Sequence, residues 1–117
     1  MPKNKGFIRI LKAFVYSFDG LKNALANEAA FRQELLVGIP FCAIAASLNI
    51  RPSEKAILIA SIFLVWIVEL LNSAIEECVN LSTREIHPLA KRAKDMGSAA
   101  VLISIILALI VWFLILL

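Results

Sequence analysis

Residues 97–117 read "GSAAVLISIILALIVWFLILL", 21 residues in a row without an acidic or basic side chain. As a helix rising about 1.5 Å per residue, this stretch covers about 30 Å, the thickness of a bilayer's hydrocarbon core. It is a transmembrane helix by length and by composition, and the rest of the chain agrees with it. Hydrophobic residues make up 61% of the 117, and the mean hydropathy of +0.85 lies far above that of a soluble globule. The expected fold class is all-α, in a single membrane domain covering residues 1–117.

Two further spans lie upstream. Ala56 to Ile75 holds one charge, Glu69, and is long enough to cross. Leu35 to Ile50 has no charge but only 16 residues, short of the core by about 6 Å, which places Glu34 and Arg51 near the two interfaces. Spans are therefore expected over 34–50, 54–76 and 97–117. Pro40 falls inside the first, where a missing amide hydrogen favours a kink. Pro52 is well placed to open the second.

Ahead of the first span, Phe7, Leu11, Phe14, Phe18, Leu21 and Leu25 recur at intervals of three and four, with Arg9, Lys12, Asp19 and Lys22 off that stripe. This is the pattern of an amphipathic helix lying in the membrane surface, expected over 7–30, with Gly20 a candidate break. Arg9 and Lys12 interrupt the apolar run and no small-residue cleavage site follows, so the segment reads as part of the mature protein and not as a secretory signal.

Basic residues set the orientation. Lys3, Lys5, Arg9, Lys12, Lys22 and Arg32 precede the first span, and Arg84, Lys91, Arg92 and Lys94 lie between the second and third; the opposite loop has only Arg51 and Lys55. The N terminus and the second loop are expected on the cytoplasmic side of a bacterial inner membrane, and the C terminus on the periplasmic side. The net charge of +3 then collects against anionic lipid and gives no reason to invoke nucleic acid. Cys42 and Cys78 read as small buried apolar residues, since neither a disulfide nor a zinc pattern is available to them.

Within the second span, "VELLNSAIEE" (Val68 to Glu77) carries carboxylates where they are costly. Glu69 and Glu76 are seven residues apart, an angular offset of about 20° on a helix, with Asn72 and Ser73 on the same side. Glu76 is expected near the cytoplasmic mouth and Glu69 about 10 Å deeper. An interhelical hydrogen bond from a neutral Glu69 is the plain alternative, but the whole row holds more polar atoms than helix adhesion requires. Asn27, Glu28, Arg32, Gln33 and Glu34 before the first span, and Lys94 with Asp95 before the third, reach the same interface. Such a site could bind Mg²⁺ with a phosphate compound, relay protons, or take a cationic solute. Glycines at 6, 20, 38 and 97 only leave no P-loop and no glycine-rich kinase loop. A proton-coupled transporter would use Glu69 but leave the groups at the mouth unexplained, and a structural bundle would leave the entire row idle.

Three separated blocks, "NEAAFRQE" (Asn27 to Glu34), "VELLNSAIE" (Val68 to Glu76) and "RAKDMGSAAVLI" (Arg92 to Ile103), closely resemble the small prokaryotic diacylglycerol kinase family, in the family's order and over essentially the whole chain. The resemblance implies a homotrimer, each protomer with a surface helix and three spans, that transfers the γ-phosphoryl group of MgATP to the hydroxyl of diacylglycerol. By that resemblance Glu69 would accept the lipid hydroxyl's proton with Asn72 in support, and Glu28 and Glu76 would hold Mg²⁺. Arg9, Tyr16, Glu28, Glu76, Glu85, His87, Lys94 and Asp95 would contact the nucleotide. Arg9, Ser17, Arg32, Gln33, Glu34, Glu69, Ser98 and Trp112 would contact the lipid. Asn80, Pro40 and the loop "LSTREIHPLAK" depart from the family pattern, and Pro88 is expected to start the helix leading into the third span. Undecaprenol kinases resemble the same fold, so the lipid stays open between two long-chain alcohols, with "DMGSAAV" closer to the diacylglycerol branch.

Overall fold

The computed structural model describes residues 5–82 and 87–117, and within them the chain forms four α-helices and no strand. They are α1 (Gly6–Asn27), α2 (Ala29–Ser47), α3 (Pro52–Ser82) and α4 (Pro88–Leu116). As expected, α2, α3 and α4 are each long and apolar enough to cross a membrane. Large apolar side chains such as Leu36, Ile57, Leu71, Leu102 and Phe113 face outward, while the buried set is short and mostly small, including Ala24, Ala45, Ser61, Ser104 and Ala108. Between helices in lipid there is little water to exclude, so close approach over small residues provides the cohesion.

Glu28 explains why the first two elements differ from their expected bounds. Its backbone is extended, at φ −113° and ψ 103°, and its amide donates to the Ala24 carbonyl at 2.9 Å. That ends α1 at Asn27, short of residue 30, and lets α2 begin at Ala29 instead of 34. The Arg32 guanidinium reaches back and donates to the carbonyls of Leu25 at 2.7 Å and Ala26 at 3.1 Å, which satisfies acceptors that the end of α1 would otherwise leave free. Gly20 does not divide α1, which runs unbroken through it. The penalty of an interior glycine, about 1 kcal/mol, is too small to end a helix whose apolar stripe continues on both sides. α2 also stays helical through Pro40, whose missing amide costs the Leu36 carbonyl its usual donor.

α2 stops at Ser47, and Lys55 crosses the loop to donate from Nζ to the Ala46 carbonyl at 2.9 Å. Pro52 opens α3 as expected, and the Glu54 side chain accepts from the Arg51 amide at 3.2 Å, half of a capping box. Both remaining helices outrun the expected spans. With 31 and 29 residues they reach about 46 and 43 Å, more than a hydrocarbon core can cover, so the charged ends 77–82 and 88–96 project beyond it. His87 caps α4, its Nδ1 accepting from the Leu89 amide at 3.1 Å, and Pro88 follows as the first helical residue.

α3 is the central element, packed against α4 on one side and α2 on the other; α1 rests against α2. Trp112 on α4 donates from Nε1 to the Leu58 carbonyl at 3.2 Å and to Ser61 Oγ at 3.1 Å. Trp66 on α3 donates to the Glu34 carbonyl at 3.0 Å, and its ring lies over Gly38, where a Cβ would come within 2.6 Å of Cζ2. Cys42 and Cys78 are both free thiols, as expected, but Cys42 is half-buried and Cys78 exposed on the outer face of α3, where burial was expected of both.

Candidate active site

The face of α3 built at intervals of three and four comes out as the spacing requires. Glu69 is 5% exposed and Asn72 8%, and Ser73 and Glu76 are half-buried on the same side. Asn72 donates from Nδ2 to Glu76 Oε1 at 3.5 Å, and the same side chain lies within hydrogen-bonding range of the Glu69 carboxyl. One amide thus links the deep carboxylate to the shallow one. Glu34, projecting from the first half of α2, meets Glu69 across the α2–α3 contact, and Glu28 at the α1–α2 junction lies within electrostatic reach of it. Three carboxylates, Glu34 from α2, Glu76 from α3 and Glu28 from the helix junction, therefore lie around the buried Glu69. Glu34 Oε2 and Asn72 Oδ1 are buried without a hydrogen-bond partner.

α4 completes the site with its backbone. Gly97 faces α3 at Asn72, and because the two helices run antiparallel, Lys94, half-buried one turn earlier, stands at the level of Glu76. Asp95 and Ser98 are exposed on other faces of α4. Asp95 is engaged by Lys91 four residues before it, Nζ to Oδ2 at 2.6 Å.

Some of the expected residues line one of two cavities, and others line neither. Ser17, Glu28 and Ser73 line a cleft of about 800 Å³ between α1 and α3, together with Asn23, Asn27 and Glu77. Glu77 was not among the expected residues; it stands four residues after Ser73, about 40° around the helix from it, and that spacing was its signal. Gln33, Glu34 and Trp112 line a second groove of about 350 Å³, walled by Val65, Trp66 and Leu109. The groove is almost wholly apolar. Trp112, bonded to Leu58 and Ser61, is at the opposite end of the bundle, about 12 Å along α3 from Glu69. Arg9 and Tyr16 are exposed on α1, Arg32 is engaged with the end of that helix, His87 caps α4, and Glu85 lies outside the described residues.

Among the described residues, no three His, Cys, Asp or Glu side chains converge closely enough to hold a metal unaided. A hard cation that arrives with phosphate oxygens and keeps several waters needs only one or two carboxylates from the protein, so the oxygen-only donors here suit that use and not a dedicated metal cage.

The sequence profile described as prokaryotic diacylglycerol kinase matches residues 15–116, a stretch that includes Glu28, Glu34, Glu69, Asn72, Glu76, Lys94 and Gly97. The chain belongs to the prokaryotic diacylglycerol kinase family. Members named diacylglycerol kinase include one from Escherichia coli (strain K12), 53% identical over 107 residues, which cover 92% of this chain and 88% of the relative. Another, from Helicobacter pylori, is 48% identical over 112 residues, covering 95% of this chain and 87% of the relative. A third, from Pseudomonas aeruginosa, is 46% identical over 112 residues, covering 96% and 91%. The family expected from the blocks at 27–34, 68–76 and 92–103 is therefore the family found. Membership in a bacterial family of lipid kinases agrees with the multi-pass membrane architecture of α2, α3 and α4.

Proposed function

We propose that this protein is an ATP-dependent diacylglycerol kinase, which transfers the γ-phosphoryl group of ATP to the primary hydroxyl of diacylglycerol and yields phosphatidic acid and ADP. The observation that carries this reading is the burial of Glu69 inside a membrane span with Glu28, Glu34 and Glu76 around it. A carboxylate at that depth costs a few kcal/mol unless it is paired, protonated or faces a wet cavity, which makes it a functional candidate, and a lipid hydroxyl is the reactant that can meet it there.

In this scheme the hydroxyl oxygen attacks the γ-phosphorus, the bond from that phosphorus to the bridging oxygen of ADP breaks, and the hydroxyl proton passes to the Glu69 carboxylate. Asn72 keeps that carboxylate oriented, and Lys94, level with Glu76, brings positive charge to the phosphates. Glu28 and Glu76 would hold Mg²⁺, which supplies neutralisation of the phosphate charge when bound with ATP. The cleft between α1 and α3 opens beside Glu28 and suits the nucleotide. The apolar groove that begins at Glu34 suits a lipid tail, with the polar end of the lipid next to Glu69. Arg9, Tyr16, Glu85, His87 and Asp95 are assigned to the nucleotide, and Arg9, Ser17, Arg32, Gln33, Ser98 and Trp112 to the lipid, on family resemblance. The protein is read as a homotrimer in the bacterial inner membrane, with its N terminus and catalytic mouth cytoplasmic and its C terminus periplasmic, as the distribution of lysine and arginine supports.

The test is the purified protein in detergent with γ-labelled ATP and Mg²⁺, offered diacylglycerol and undecaprenol in turn. Labelled phosphatidic acid is expected. Transfer to undecaprenol alone would move the protein to the other long-chain alcohol, and transfer to neither lipid would end the kinase reading.

A further inference from the structure

We propose that Gly97 is a positioning residue for this reaction: its bare backbone seats the Asn72 amide so that one side chain spans both Glu69 and Glu76. The inference rests on the kinase reading of the site. It also makes a claim about geometry that can be tested without turnover. Gly97 is not needed for its dihedral angles, because Gly6 is the single positive-φ residue among those described and Gly97 lies in ordinary helix. A glycine in a helix interior is unfavourable relative to alanine, so something other than backbone freedom has to account for it here.

That something is space. A Cβ at Gly97 would overlap Asn72 Oδ1 and come within 3.1 Å of Asn72 Cγ and 3.9 Å of its Cβ. The Asn72 side chain thus lies against the glycine with its carbonyl end. Asn72 is 8% exposed and cannot swing into solvent to make room. Its Oδ1 has no donor, so the carbonyl is held in place by fit alone, while the amide nitrogen faces the carboxylates. An added methyl group would have to displace the amide, and with it the bond to Glu76 and the contact with Glu69. Gly20 has open space around it, and Gly38 is closely covered only by Trp66 and Ile62; neither touches the polar row.

The experiment compares the parent, Gly97→Ala, Asn72→Ala and the double variant as full-length protein in detergent, reading kcat with diacylglycerol, the thermal midpoint, and the side-chain ¹⁵N amide resonance assigned to Asn72 by its loss in Asn72→Ala. Gly97→Ala is expected to lower kcat by about tenfold or more, as misplacing a catalytic group does, to shift the Asn72 resonance, and to add no more than about twofold to the loss already present in Asn72→Ala. An unshifted resonance, losses that multiply in the double variant, or a fall in kcat matched by loss of folded protein at the assay temperature would overturn the proposal. A parent inactive toward diacylglycerol but showing the resonance shift in Gly97→Ala would remove the kinase reading and leave the seat standing.

Discussion

Gly38→Ala tests how the site is held together, because two opposing effects give opposite signs. On helix propensity alone the alanine should stabilise α2 by about 1 kcal/mol. Against that, its Cβ would stand 2.6 Å from Trp66 Cζ2, 2.8 Å from Ile62 Cγ2 and 2.9 Å from Trp66 Nε1. These are ring and branched-methyl atoms packed between two helices, and such overpacking costs about 1–3 kcal/mol. Moving the indole also strains its bond to the Glu34 carbonyl, worth about 0.6 kcal/mol by the average for interhelical bonds in membranes. The sum is a net destabilisation of about 0.6–2.6 kcal/mol, with α2 pushed away from α3 close to the Glu34 carboxyl that meets Glu69. Unfolding in detergent by added denaturing surfactant, followed by tryptophan fluorescence, reads this directly. Gly38→Ala/Trp66→Phe, which slims the ring and removes the donor, should recover part of the loss. A Gly38→Ala protein as stable as the parent or more so would refute the reasoning, since propensity would then have outweighed contact.

Other outcomes follow from single contacts. Arg32→Ala should free the terminal carbonyls of α1 that the guanidinium now satisfies, loosening the surface helix by about 1–2 kcal/mol. Faster amide exchange over residues 20–27 with little change in α3 and α4 is the expected record. Trp112→Phe keeps the edge contact with Phe41, centred 5.3 Å away, but loses the bonds to Leu58 and Ser61; a loss of about 1 kcal/mol is expected in surfactant unfolding, with ATP-analogue affinity unchanged.

Much of this architecture was legible in the residue order, for reasons that can be stated. The charge-free run at 97–117 and the stripe from Phe7 to Leu25 are period and hydropathy signals, which tertiary contacts reinforce and do not reverse. The polar row at 69, 72, 73 and 76 is likewise fixed by helical geometry once α3 exists. Boundaries were less readable. The break at Glu28 depends on Arg32 reaching back over it, and the continuation of α3 to Ser82 and of α4 from Pro88 carries both helices past the apolar runs that marked the spans. Gly20 and Pro40 carry strong local punctuation, yet a helix anchored on both sides absorbs each of them. The partners of individual side chains were not legible at all: that Gly97 lies under Asn72, that Trp66 covers Gly38, and that Glu77 faces the cleft with Glu28 all follow from how α3 is rotated between its neighbours.

The central claim is that two carboxylates on one helix divide the labour, the inner taking a proton and the outer holding the metal that accompanies ATP. Glu69→Gln keeps the shape and hydrogen-bonding capacity of a side chain that is 5% exposed while removing its ability to accept that proton. The deciding measurement is kcat for phosphatidic acid formation in Glu69→Gln and Glu76→Gln beside the equilibrium affinity of each for a non-hydrolysable ATP analogue with Mg²⁺. A loss of about 100-fold or more in kcat is expected for Glu69→Gln, the share a general base commonly supplies, with analogue affinity near that of the parent, whereas Glu76→Gln should lose affinity. Equal losses of affinity in both variants, or a Glu69→Gln protein that still turns over near the parent rate, would contradict the account.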